Sequence, residues 1–132
     1  MKDIVNLRVH IAPVGFEVDR IIIPAVRMKA DKVWLIAHDN TAEDKASKYR
    51  QKIEKELEKN GIKTEVTYAN RLRLFPIIKA VTEIIFKERK NDIYVNVATG
   101  SKIHAIGCMM ACMLFDDREK IHPFYAQAEQ YP

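Results

Sequence analysis

The sequence predicts an α/β protein, a three-layer sandwich around a mainly parallel sheet of about five strands, and three observations carry that prediction. Short runs rich in Val and Ile alternate four times with stretches of helical period, the pattern of strand-helix-strand crossovers in a doubly wound sheet. The run at 32–37, KVWLIA, is apolar almost throughout, as in strands covered on both faces. The chain has 132 residues, 48% of them hydrophobic, enough to bury a real core, so one domain over residues 1–132 is expected.

Each element follows from its own pattern. Residues 7–13 (LRVHIAP) alternate apolar and polar and close on Pro13, giving a first strand. A turn around Gly15 leads into a helix within DRIIIPAVRMKA, with Asp19 as its expected cap. After the strand at 32–37, Thr41 and Asp44 stand at capping-box spacing, Asp replacing the usual Glu or Gln. The long charged helix that follows stops at Asn60-Gly61, and its many Glu and Lys residues read as a solvated face without a functional role. Residues 62–68 alternate as a third strand, and Asn70 can cap a helix running to about Lys90, with Leu74, Ile77, Ile78, Val81, Ile84 and Ile85 on one stripe. Pro24 and Pro76 are expected in or near first turns. Residues 92–97 (DIYVNV) form a fourth strand, and residues 101–115 a fourth helix that is apolar on almost every side and so needs cover on both. Residues 120–127 read as a fifth strand, which Pro123 interrupts or confines to an edge.

Composition narrows the function classes. Lys and Arg outnumber Asp and Glu by 22 to 18, a formal charge of +4 that suits an anionic ligand without demanding one. No apolar run reaches the roughly 18 residues of a membrane span, and charges sit where a signal peptide needs an apolar core, so a cytoplasmic protein without a membrane partner is expected. Cys108 and Cys112, four apart in an apolar stretch, read as buried free thiols. The histidines have no metal-ligand spacing, and neither a metal nor another cofactor is expected.

In a doubly wound sheet ligands collect beyond the carboxyl ends of the strands, which points to residues 14–19, 38–41, 69–73 and 98–102. The last lies in NVATGSK, residues 96–102. There Gly100 permits close backbone approach, and the amides of Ser101 and Lys102 open the fourth helix toward an anion. Thr99 and Ser101 add hydroxyls and Lys102 a positive charge. It is not a Walker A loop, because the earlier Gly is missing and Ile103 stands where Ser or Thr would bind magnesium. Nor does PVGFEVD contain GxGxxG, since Gly15 stands alone. Arg71 and Arg73 could join Lys102 in a basic rim, and His38 ends a strand at the ligand edge as a contact or general base. His104 either faces the pocket or packs, whereas His10 is expected to be half-buried and structural. The candidate ligand-binding set is Gly15, Phe16, His38, Arg71, Thr99, Gly100, Ser101, Lys102 and His104, and no catalytic residue is assigned.

A Val- and Ile-rich strand ending in Asn96-Val97-Ala98-Thr99-Gly100-Ser101-Lys102, followed by an apolar helix, resembles the second signature of CRISPR-associated Rossmann-fold (CARF) sensor domains, with Ala98 where a hydroxyl is frequent. The opening RVHIAPVGFEVDRIIIPAV resembles the first loop of the branch found at the N-terminus of winged-helix transcription regulators. The resemblance implies a Rossmann-like homodimer whose two pockets merge into one site for a cyclic oligoadenylate, most often cyclic tetra-adenylate. It also implies a regulated effector or transcriptional output. In such a dimer the free side of the fourth helix gains cover, with Ala105, Gly107 and Ala111 permitting close approach. DNA contact is expected only through a winged-helix domain absent from this chain. Two further readings stay open. One is a metal-independent ring nuclease, in which Lys102 stabilises developing charge while Thr99 or Ser101 positions the phosphate. The other is a Rossmann-like domain for another nucleotide.

Overall fold

The computed structural model describes residues 6–40 and 45–126. In chain order the elements are β1 (Arg8–Pro13), α1 (Asp19–Arg27), β2 (Lys32–Ala37), α2 (Ser47–Lys59), β3 (Lys63–Tyr68), α3 (Leu74–Lys87), β4 (Asp92–Asn96), α4 (Lys102–Met113) and β5 (Ile121–Phe124). The five strands form one sheet in the order β3-β2-β1-β4-β5, every pair parallel. The chain therefore starts in the middle, runs out to one edge through β2 and β3, and returns to place β4 against the free side of β1. The expected α/β architecture with about five strands is the one observed.

Strand alternation sorts side chains into two cores. Ile11, Ile36, Ile93 and Val95 pack with Ile77, Val81 and Ile84 of α3 and Cys108 and Ala111 of α4. Ala12, Val33 and Leu35 pack on the opposite face with Ile21 and Ala25 of α1 and Ile53 and Leu57 of α2. At the amino edge, Glu88 accepts hydrogen bonds from Lys32 Nζ (2.9 Å), Trp34 Nε1 (2.7 Å) and Asn91 Nδ2 (3.0 Å), tying the end of α3 to β2. Burial alone would raise its pKa, but these hydrogen bonds and the Lys32 charge hold it below the usual carboxylate value.

Several expectations change at this level. Pro24 lies in the interior of α1 rather than in its first turn, whereas Pro76 is the third residue of α3. The N-cap of α1 is Val18 and makes no side-chain cap bond; Asp19 is the first helical residue, where its charge favours the helix dipole. Asn70 does not cap α3, whose N-cap is Arg73; instead its Oδ1 accepts from Leu72 N–H at 2.9 Å in an Asx turn just ahead of the helix. The proposed Thr41 and Asp44 capping box lies outside the described residues. His10 is 2% exposed, deeper than the half-burial expected.

The two sides of α4 differ in kind. Cys108 and Cys112 are buried free thiols, as expected, and burial pushes their pKa up to about 12 and about 11, which makes them inert. Gly107 and Ala111 are buried too, but the close approach that Gly107 allows is to α3: a Cβ there would meet Ile77 Cγ2 at 2.7 Å. These two small residues are spent within the protomer rather than on an outer contact. The outward side exposes Ile106, Met109, Met110, Met113 and Leu114. The fifth strand is shorter than predicted and sits at the sheet edge beside β4, with Pro123 opposite Val95. Among the described residues no helix is long and apolar enough to cross a membrane.

Candidate functional site

The sheet order reverses between β1 and β4, where the chain turns outward in opposite directions, and the carboxyl ends of such neighbours open a crevice. Here the loops after β1 and β4 touch directly. A Cβ on Gly15 would lie 3.2 Å from Gly100 Cα, and one on Gly100 would lie 2.5 Å from His104 Nδ1 and 3.0 Å from Pro13 Cβ. Gly100 also adopts a φ of +77°, a conformation that side chains other than glycine's enter at a cost.

A side chain bolts these loops together. A proline in a helix interior has no N–H to give to the carbonyl four residues back, so Pro24 leaves the Arg20 carbonyl without its helical donor. Asn96, 2% exposed at the end of β4, fills that gap: its Nδ2 donates to Arg20 O at 2.9 Å. Its Oδ1 accepts from Ala98 N–H at 3.0 Å, which bends the chain into the turn ahead of α4.

Around the reversal lies a cavity of about 210 Å³ lined by Val14, Gly15, Phe16, Glu17, His38, Lys45, Ala46, Arg71, Gly100, Ser101 and His104. Seven residues singled out from sequence thus meet on one cavity: Gly15, Phe16, His38, Arg71, Gly100, Ser101 and His104. Two do not line it. Thr99 is 1% exposed, and its Oγ1 has no hydrogen-bond partner among the described residues. Lys102 opens α4 with an exposed side chain. Arg73, the N-cap of α3, is exposed away from the cavity wall. Sequence reading passed over Lys45, because its segment reads as a solvated charged helix; it lies instead in the turn just ahead of α2, which borders the cavity.

The start of α4 is built by a capping box in which histidine replaces the usual Glu or Gln. Ser101 Oγ accepts from His104 N–H at 3.3 Å, and His104 Nδ1 accepts from Ser101 N–H at 3.0 Å. One of the two amides expected to face an anion is therefore used inside the turn. The N–H groups of Lys102 and Ile103 have no intramolecular partner among the described residues, as is usual in the first turn of a helix.

Those same bonds set the histidine tautomers. His104 Nδ1 is an acceptor, and so is His38 Nδ1, which takes Arg71 N–H at 3.2 Å. In the neutral form of each ring these bonds leave the proton on Nε2, which is then a donor. Burial, and after it the Arg71 and His38 charges, lower the His104 pKa to about 4, so this ring is neutral at physiological pH. With Lys45 and Arg71 the wall is rich in donors, while Glu17 contributes a carboxylate whose Oε2 lies 3.4 Å from Arg20 Nη1. Such a wall suits an acceptor-rich, anionic group.

Fold and cavity together define a Rossmann-like α/β domain with its pocket at the reversal of the strand order. The chain belongs to the HFX_2341_N:-like, N-terminal family, whose family model matches residues 8–131. It is 34% identical over 128 residues to the uncharacterized protein MJ1513 of Methanocaldococcus jannaschii, an alignment covering 92% of this chain and 38% of that protein. The chain thus spans well under half of that relative's length. Among solved structures, Can2 from Sulfobacillus thermosulfidooxidans in complex with cyclic tetra-adenylate matches with a TM-score of 0.73 at 14% identity, over 91% of this chain and 32% of Can2. Enterococcus italicus Csm6 bound to cyclic hexa-2'-fluoro-hexa-dAMP matches with a TM-score of 0.74 at 11% identity, over 95% of this chain and 35% of Csm6. At such identities the likeness is one of fold.

Proposed function

We propose that residues 1–132 are a single sensor domain of CARF type, cytoplasmic, which binds a cyclic oligoadenylate, cyclic tetra-adenylate in the first instance, across a homodimer and passes its occupancy to an effector or transcriptional output. The observation that carries this reading is the meeting of the β1 and β4 loops at the sheet reversal, with His38, Arg71, Ser101 and His104 on one donor-rich cavity. Two solved structures of like fold, Can2 and Csm6, hold cyclic oligonucleotides, which supports the ligand class. The exposed apolar side of α4 supports the dimer, because Ile106, Met110, Met113 and Leu114 would be covered by the same face of a second copy. Lys102, exposed at the start of α4, then reaches the ligand from the rim of the shared site rather than from within either cavity. DNA contact, in this reading, belongs to a winged-helix domain outside these residues.

The competing reading is a ring nuclease, which needs a group to take the proton of the attacking ribose hydroxyl. Both cavity imidazoles have Nδ1 engaged by backbone amides, so neither Nδ1 is free to act as that base and sensing is favoured.

Titration of the purified chain with cyclic tetra-adenylate, followed by chromatography of the nucleotide, tests the reading. Saturable binding with the ring recovered intact is expected. Linear diadenylate would establish the nuclease instead, and binding of a mononucleotide with no response to the ring would establish a different nucleotide domain. Lys102→Ala should weaken binding about 10- to 150-fold, as for loss of one charge-assisted contact, and leave the melting temperature of the free protein unchanged. A large fall in that temperature would make Lys102 structural.

A further inference from the structure

The cavity at the reversal, about 210 Å³, is smaller than the roughly 300–1,000 Å³ of ordinary small-molecule sites, so a nucleotide must extend beyond it. A second cavity of about 990 Å³ adjoins it along α1, and the two share Phe16 and Glu17 in their walls. Phe16 stands between them for a local reason. Gly15 is pressed against Gly100, and Val14 and Val18 pack into the core beneath α1, so the side chain between them projects outward and is 58% exposed.

A lone exposed phenylalanine means little. This one is braced. The Tyr49 ring of α2 meets it edge-to-face, with centroids 5.3 Å apart and planes at 78°, and Lys48 Nζ lies 5.4 Å from the centroid of Tyr49. Tyr49 and Lys52 line the larger cavity beside Phe16, together with Arg20, Glu17 and Asp19. An aromatic pair fixed at the junction of two cavities, with lysines behind it and a donor-rich wall ahead, is the arrangement by which proteins stack a base while holding its phosphate.

We infer that Phe16, braced by Tyr49, is the stacking platform for the purine base of a nucleotide whose phosphate lies in the smaller cavity against Arg71, His38 and Ser101. This rests on the nucleotide reading proposed above and adds the place of the base. A purine presents the larger π-face and gains most from the exposed ring.

Calorimetric titration of wild type, Phe16→Ala and Phe16→Trp with cyclic tetra-adenylate tests it, with thermal melts run in parallel. Phe16→Ala is expected to weaken binding about 5- to 150-fold, the usual worth of one base stacked on an aromatic ring, without lowering the melting temperature, because the side chain is exposed. Phe16→Trp should retain wild-type affinity within about threefold, since stacking survives the exchange. Wild-type affinity in Phe16→Ala would overturn the platform and leave the sensor reading intact. Equal losses in the Ala and Trp variants would overturn it too, by showing that shape rather than stacking matters. A wild-type chain that ignores the ring overturns both readings together.

Discussion

Gly100 is where the backbone itself specifies one residue. Its φ of +77° and the 2.5 Å that would separate a Cβ from His104 Nδ1 leave no room for alanine. Gly100→Ala should therefore cost about 1–3 kcal/mol, read from chemical unfolding, and should displace the His104 ring that holds the α4 turn. His104 and His10 make a second prediction. Burial lowers both pKa values from 6.5 to about 4. Above pH 6.5 both rings are neutral in folded and unfolded chains alike. Between pH 6.5 and 4 the unfolded chain takes up protons that the folded chain refuses, so stability falls as pH falls, by at most about 3 kcal/mol for each ring. Urea midpoints at pH 7, 5.5 and 4.5 should decline in that order, and His10→Phe, which keeps the ring packing against Tyr94 and Phe124, should flatten the decline. An unchanged slope in that variant would show that His10 does not contribute.

At the scale of elements, α1 and the β4–α4 turn are one mechanical unit because Pro24 frees the Arg20 carbonyl and Asn96 occupies it. Asn96→Ala leaves a carbonyl and the Ala98 amide without their partner in a buried place, and should cost about 1–3 kcal/mol. Pro24→Ala restores an N–H that competes for the same carbonyl, so the double variant should lose less than Asn96→Ala alone. Equal losses in the two would show that Asn96 and Pro24 act independently. The same unit explains how the loops after β1 and β4, far apart in sequence, are held in contact at Gly15 and Gly100.

At the scale of the whole molecule, the apolar outer side of α4 is the surface on which the proposed dimer is tested. Ile106 is 52% exposed, Met113 77% and Leu114 70%, with Leu72 and Phe75 of the α3 approach also exposed. A helix of this composition is expected to find a partner, and light scattering should report a dimer. Met110→Asp with Met113→Asp should yield a monomer of unchanged circular dichroism, because both side chains point away from the core. If the ligand spans two copies, that monomer also binds cyclic tetra-adenylate more weakly; undiminished affinity would place the ligand within one protomer.

Sequence alone determined the alternation of elements and the edge of the sheet where ligands gather, because apolar period is a local property and the carboxyl-edge rule needs only chain order. It brought forward His38, Arg71, Gly100 and Ser101 on that ground, and these do line one cavity. What it missed depends on contacts between distant segments. The cap of α4 is a histidine answering Ser101, the gap behind Pro24 is filled by Asn96, Lys45 reaches the cavity from the turn ahead of α2, and Gly107 serves α3. Each of these is a choice of partner, and partners are chosen only when burial leaves one donor or one space within reach.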